Sequence, residues 1–152
     1  YYTRGSAFSF LVEQKPEYAR YFTSWEQITP VSFPNPMQNR IIENYCSGVY
    51  LSPDQVIQLL KDMEQDPKVL EDLEGLWSNG QIAVLKKALS AAAKSGVGLL
   101  EATEVVEPNP ISPNESTSYS NLYHCDRDGV YLYIDAVSGQ LADAIGKNEG
   151  RT

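Results

Sequence analysis

The sequence predicts an α+β fold, and three observations carry that expectation. Residues 52 to 95 hold three amphipathic stripes, each with its own helix-start signal, whereas residues 99 to 106 switch to the apolar, β-branched composition of a strand. An Asp-Gly pair then closes the stretch 126 to 129 between two further runs of strand type. At 152 residues the chain has one domain's length. A chain of this size buries roughly 70% of the surface its unfolded form exposes, so it needs no disulfide or metal staple. The expected architecture is a single α+β domain over residues 1–146. A three-helix middle segment packs on a small, mostly antiparallel sheet with a C-terminal hairpin, and residues 147–152 form a frayed tail.

Each element has its own justification. Phe8, Phe10 and Val12 alternate with Ser9 and Leu11, the period of a short strand. Pro16 opens a segment in which Tyr18, Tyr21, Phe22 and Trp25 recur at i, i+3, i+4 and i+7, so a short amphipathic helix is expected. Pro30, Pro34 and Pro36 exclude regular structure between 30 and 36. Ser52, Pro53, Asp54 and Gln55 match a capping box with proline at the first helical position, and Val56, Ile57, Leu59, Leu60 and Met63 supply the stripe that follows.

Asp66-Pro67 repeats the start signal ahead of Val69, Leu70, Leu73, Leu76 and Trp77. Ser78 and Gln81 are placed as N-cap and N3 of a third helix, with Ile82, Leu85, Leu89 and Ala92 facing the core and Gly96 ending it in the left-handed conformation. Leu99 to Val106 reads as a strand, and residues 108 to 118, with three prolines, as a loop. Tyr119–Cys125 and Val130–Ala136 are then the two strands of a hairpin. Its parity puts Val130, Leu132 and Ile134 on the core face and His124, Tyr131 and Tyr133 on the other.

Charge narrows the function classes. Twelve basic against 20 acidic residues give a net charge of −8, which argues against nucleic acid and anionic membranes as partners and leaves a basic protein as the natural one. No apolar run approaches the roughly 18 residues that span a bilayer. Two cysteines do not make a secreted disulfide framework, so a cytoplasmic location is expected. The chain begins at Tyr1 rather than Met, which implies processing of its N-terminus. Between Asp54 and Glu74 lie seven acids against Lys61 and Lys68, a local net of −5. On two amphipathic helices these acids, Asp62, Glu64, Glu71 and Asp72 among them, would form a negative ridge that steers a partner.

Reactive constellations are weak by comparison. His124 is the sole histidine, and its neighbour Cys125 would point to the opposite face of a strand, which makes the pair a poor dyad. Asp126, Asp128, Gly129 and Asp135 imitate calcium-loop spacing, yet His124 would fall on a position that needs oxygen. Two cysteines and one histidine cannot build a zinc quartet, and Gly96-Val97-Gly98 lacks the rest of a phosphate loop. Glu101, Glu104 and Glu107 fit a solvated strand edge. No cofactor is implied.

The expected function is therefore a non-enzymatic, acidic protein-binding domain with Asp62, Glu64, Glu71, Asp72, His124, Tyr131 and Tyr133 as its partner-binding residues. The alternatives are a small hydrolase using the His124 face and a regulatory module that binds a small molecule. A small, acidic, tyrosine-rich domain is similar in type to bacterial immunity proteins that neutralise toxins, with no residue motif tying it to one such family.

Overall fold

A computed structural model of the chain describes residues 1–23, 49–102, 106–107, 111, 117–118 and 125–149. The chain divides into two compact units, Tyr1–Ser120 and Asn121–Thr152. In the first, strand β1 (Tyr2–Arg4) leads into helix α1 (Ala7–Gln14) and a 3₁₀ helix (Pro16–Tyr21). After the undescribed residues 24–48 come β2 (Tyr50–Leu51), α2 (Pro53–Gln65), α3 (Pro67–Leu76), α4 (Gln81–Ser95) and β3 (Leu99–Ala102). Two short strands, β4 (Val106–Glu107) and β5 (Thr117–Ser118), pair antiparallel. The second unit is built on α5 (Arg127–Glu149). Helices and small sheets together make the α+β class.

The middle helices start where their caps are. The Ser52 side chain accepts from Gln55 N–H while the Gln55 side chain accepts from Ser52 N–H, so both halves of the capping box are made. Asp66 closes α2 and its carboxylate accepts from Lys68 N–H, which starts α3 with Pro67 at the first position. The third helix differs from expectation at its start. Asn79 and Gly80 take positive φ values, 54° and 85°, so the chain turns before Gln81 and Ser78 does not cap. Gly96 ends α4 in the left-handed conformation, as its position predicts.

From each stripe the structure buries the inner members. Val56, Leu59 and Met63 of α2, Val69, Leu73 and Trp77 at α3, and Leu85, Leu89 and Ala92 of α4 form one core with Phe8, Leu11, Tyr18, Tyr21, Leu51 and Leu99. Leu60, Leu70, Leu76 and Ile82 pack against its edge. Ile57, expected inside, is 53% exposed, because only three residues in each two turns of α2 face α3 and α4. The Phe8 ring lies 4.5 Å from that of Trp77 and 5.2 Å from that of Phe22, both in tilted geometry.

Three expectations are corrected. Residues 8 to 12 are helical, not a strand; Phe8 and Leu11, three apart, are the buried pair, and the N-terminal strand is instead β1. The main sheet has order β1-β3-β2 and is mixed: β1 runs parallel to β3 with Tyr2 beside Leu100, and β2 runs antiparallel with Leu51 beside Leu99. The C-terminal hairpin is replaced by α5, which covers the expected second strand, while residues 119–124 of the first lie outside the described residues. Ile134 is accordingly exposed and Val130 and Leu132 only half-buried. A helix turns about 100° per residue, so Tyr131 and Tyr133 no longer share a face.

Gly98 marks a close approach that the sequence left unexplained. A Cβ there would stand 2.5 Å from the Leu51 carbonyl oxygen and 2.6 Å from a ring carbon of Tyr50, so only glycine lets β2 lie against the start of β3.

Candidate functional site

The polar surface of the first unit is organised by the 3₁₀ helix. Its three-residue turn places Tyr18 and Tyr21 on one side, with ring centroids 6.0 Å apart, and both side chains are buried. Each hydroxyl meets a carboxylate. Tyr18 donates to Asp72 Oδ2 at 2.6 Å, and Tyr21 donates to Asp62 Oδ2. Lys15 Nζ pairs with Asp72 Oδ1, and Gln58 donates to Asp62 Oδ1 at 2.8 Å. Arg20 closes the array: its guanidinium donates to the Tyr21 hydroxyl at 2.9 Å and lies 4.5 Å from the Tyr21 ring centroid and 5.5 Å from that of Tyr18.

The electrostatics follow from these contacts. Burial, reinforced by the bond to Asp72, pushes the Tyr18 hydroxyl well above the ordinary tyrosine value, and burial with the bond to Asp62 raises Tyr21 to about 12. Asp72 is held below the usual carboxylate range by its bond to Lys15 and then by that to Tyr18. Both phenols are therefore fixed as protonated donors at neutral pH, and neither is poised to act as a base or nucleophile.

Asp62, Glu64, Glu71 and Asp72 thus do not form one solvated ridge. Glu64 and Glu71 are exposed, whereas Asp62 and Asp72 turn inward and anchor the 3₁₀ helix to α2 and α3. The signal for this inward turn was available in Tyr18 and Tyr21, whose apolar bodies join a core while their polar tips require partners. Of the seven acids between 54 and 74, Asp54, Glu64, Asp66, Glu71 and Glu74 remain on the surface, alongside Lys61 and Lys68. Tyr131 and Tyr133 are exposed on α5, in the second unit. His124 and Cys46 lie outside the described residues, and Cys125 is exposed.

One carboxylate departs from its expected place. Glu101 is not on a solvated edge but 1% exposed, and it accepts from Phe8 N–H at 3.0 and 3.1 Å and from Ser9 N–H at 3.4 Å. Ser6 provides no side-chain cap for α1, so Glu101 satisfies the orphan amides of that helix from 93 residues away. Burial raises its carboxyl to about 7 against the opposing pull of the amides of Phe8, Ser9 and Ala7. Sealed by α1, this group has an architectural role rather than access to a substrate.

Among the described residues, no group of three or more His, Cys, Asp or Glu side chains could hold a metal ion, and no helix is long and apolar enough to cross a membrane. Comparison with protein-family models, with curated proteins and with solved structures finds no match.

Proposed function

We propose that the chain is a non-enzymatic, cytoplasmic protein-binding domain that presents α2 and α3 to a basic protein partner, in the manner of a toxin-neutralising immunity protein. One observation carries the reading. Asp54, Glu64, Asp66, Glu71 and Glu74 stand exposed on or between two helices whose apolar sides are committed to the core, and Lys61 and Lys68 are the basic residues of those two helices. Such a field speeds encounter with a cationic surface and contributes little to the stability of its own fold.

The test uses Glu64→Lys, Glu71→Lys and Glu74→Lys combined, leaving the inward Asp62 and Asp72 intact. Binding to the product of the adjacent gene is measured at low and high salt. Association should slow about 10-fold or more at low salt, and its salt dependence should flatten, with thermal unfolding unchanged. An unaltered association rate and salt slope would remove the acidic face from the interface.

A further inference from the structure

The corner between α3 and α4 is built on two adjacent residues that can react with each other. Asn79 is one of eight asparagines in the chain and the one that precedes a glycine. Among the described residues it is also the one non-glycine with a positive φ, 54°, and Gly80 follows with φ 85° and ψ −5°. Gln81 N–H donates to the Ser78 carbonyl at 3.0 Å, and two positive φ values under such a bond define a type I′ turn, for which Asn-Gly is the preferred pair. A wider bond encloses it. Ile82 N–H donates to the carbonyl of the buried Trp77 at 3.1 Å, so the turn ties the core to the first turn of α4.

The Gly80 nitrogen and Asn79 Cγ close a five-membered ring when they bond, so the reaction needs no group from elsewhere in the chain. Attack requires the Asn79 backbone to rotate away from its type I′ value. Flipping the single peptide plane between Asn79 and Gly80 does this: the turn becomes type II′, with ψ of about −120° at its first central residue and the Gln81 to Ser78 bond kept. The closed ring holds ψ near that same value, so the folded corner accommodates the intermediate. Glycine permits the flip because its φ can take either sign. Chain neighbours aside, no atom of the described residues lies within 4 Å of where a Cβ on Gly80 would stand, so the plane has room to turn.

We propose that Asn79-Gly80 is a site of spontaneous modification at which water converts the asparagine of the folded chain to aspartate and isoaspartate. Hydroxide takes the Gly80 amide proton as the nitrogen attacks Asn79 Cγ. The new N–C bond forms, the bond from Cγ to Nδ2 breaks, and ammonia leaves with a proton from water. Water then opens the imide. Cleavage at Cγ restores the ordinary main chain with an aspartate, and cleavage at the backbone carbonyl of residue 79 routes the chain through the side chain as isoaspartate. One water is consumed and one ammonia released, with no change of oxidation state. The products differ in what they do to the corner. Aspartate tolerates the left-handed conformation and adds a charge just ahead of α4, where the helix dipole favours it. Isoaspartate inserts a methylene into the main chain between Ser78 and Gly80, so the bonds from Gln81 to Ser78 and from Ile82 to Trp77 lose their register.

The test holds the folded full chain at pH 7 and at pH 8 in heavy-oxygen water and maps its peptides by mass spectrometry. Asn79 should convert at least about 10-fold faster than each of the other seven asparagines, because every one of those is followed by a residue with a Cβ. The rate should rise in proportion to hydroxide, and both products should appear with heavy oxygen at this residue. Asn79→Gln, whose ring would have six members, should lose the reaction. Once separated, the isoaspartyl form should melt about 3 °C or more below Asn79→Asp, which carries the same charge on an ordinary main chain. Conversion at Asn79 no faster than at the other asparagines, aspartate without isoaspartate, or conversion in urea but not in the folded chain would each overturn the proposal. An isoaspartyl form as stable as Asn79→Asp would overturn its effect on the corner.

Discussion

Replacing Glu101 by glutamine keeps the shape of the side chain and removes its titration, so the two chains should respond differently to pH. In the folded protein the carboxyl is raised from 4.5 to about 7, chiefly by burial. The folded state therefore holds the proton more tightly than the unfolded chain. This contribution to stability is fully present below pH 4.5 and is lost as pH rises through about 7. A shift of that size corresponds to about 3 kcal/mol across the window. Glu101→Gln should be flat over the same range. At low pH the variant should be about 1 kcal/mol less stable, because one acceptor oxygen facing Phe8 and Ser9 becomes an NH₂ group. By pH 8 it should be the more stable chain by about 2 kcal/mol, with the curves crossing near pH 5.5. Urea titrations at half-unit pH intervals provide the assay, with fluorescence of Trp77, which packs against Phe8 in tilted geometry, as one reporter of the core. A difference between the two chains that stays constant from pH 4.5 to 8 would show that Glu101 does not titrate there, and the reasoning would fail.

Two further outcomes are expected. Inward and outward acids should separate cleanly on charge reversal: Asp62→Lys and Asp72→Lys should each cost about 2 kcal/mol or more, and Glu64→Lys and Glu71→Lys should stay within about 0.5 kcal/mol, as read from denaturation midpoints. Because the Asp72 carboxyl is depressed, its stabilising pairing is present above the unfolded value of 3.8 and fades as pH falls through the folded one; Asp72→Asn should abolish that acid-side loss. Gly98→Ala should lower stability by about 1 to 3 kcal/mol, since β2 must move away from the new methyl group, whereas Gly75→Ala, with open space around it on α3, should be neutral or stabilising.

Much of the first unit could be read from local chemistry. The capping box of α2, the Asp-Pro start of α3 and the glycine stop of α4 are signals contained within a few residues, and each one is realised. Helix α1 could not be read in this way. Over residues 8 to 12 the periods of strand and helix both fit, and a carboxylate on β3 settles the choice by capping the first turn. The same ambiguity affected Asp126-Arg127-Asp128-Gly129. Aspartate suits a tight turn and a helix N-cap equally well, and only the stripe continuing through Val137 and Leu141, too long for a strand, distinguishes them. The inward turn of Asp62 and Asp72 was hidden for a further reason: their tyrosine partners lie 41 and 54 residues away.

The strand order of the main sheet also governs when the sheet can form. Every pairing in it is remote: Tyr2 meets Leu100, and Tyr50 meets that same residue from the other side. The helix-to-helix contacts from α2 through α4 join near neighbours in the chain, so they assemble without closing a long loop. Topology therefore predicts that the sheet closes late, around helices that have already met. Changes that weaken β3 should accelerate unfolding while leaving the folding rate nearly unaltered, whereas changes in the seam between α2 and α4 should slow folding itself. On this expectation the strand that joins the N-terminal segment to the far side of the helical middle sets how long the folded state lasts, and the helical middle sets how soon it is reached.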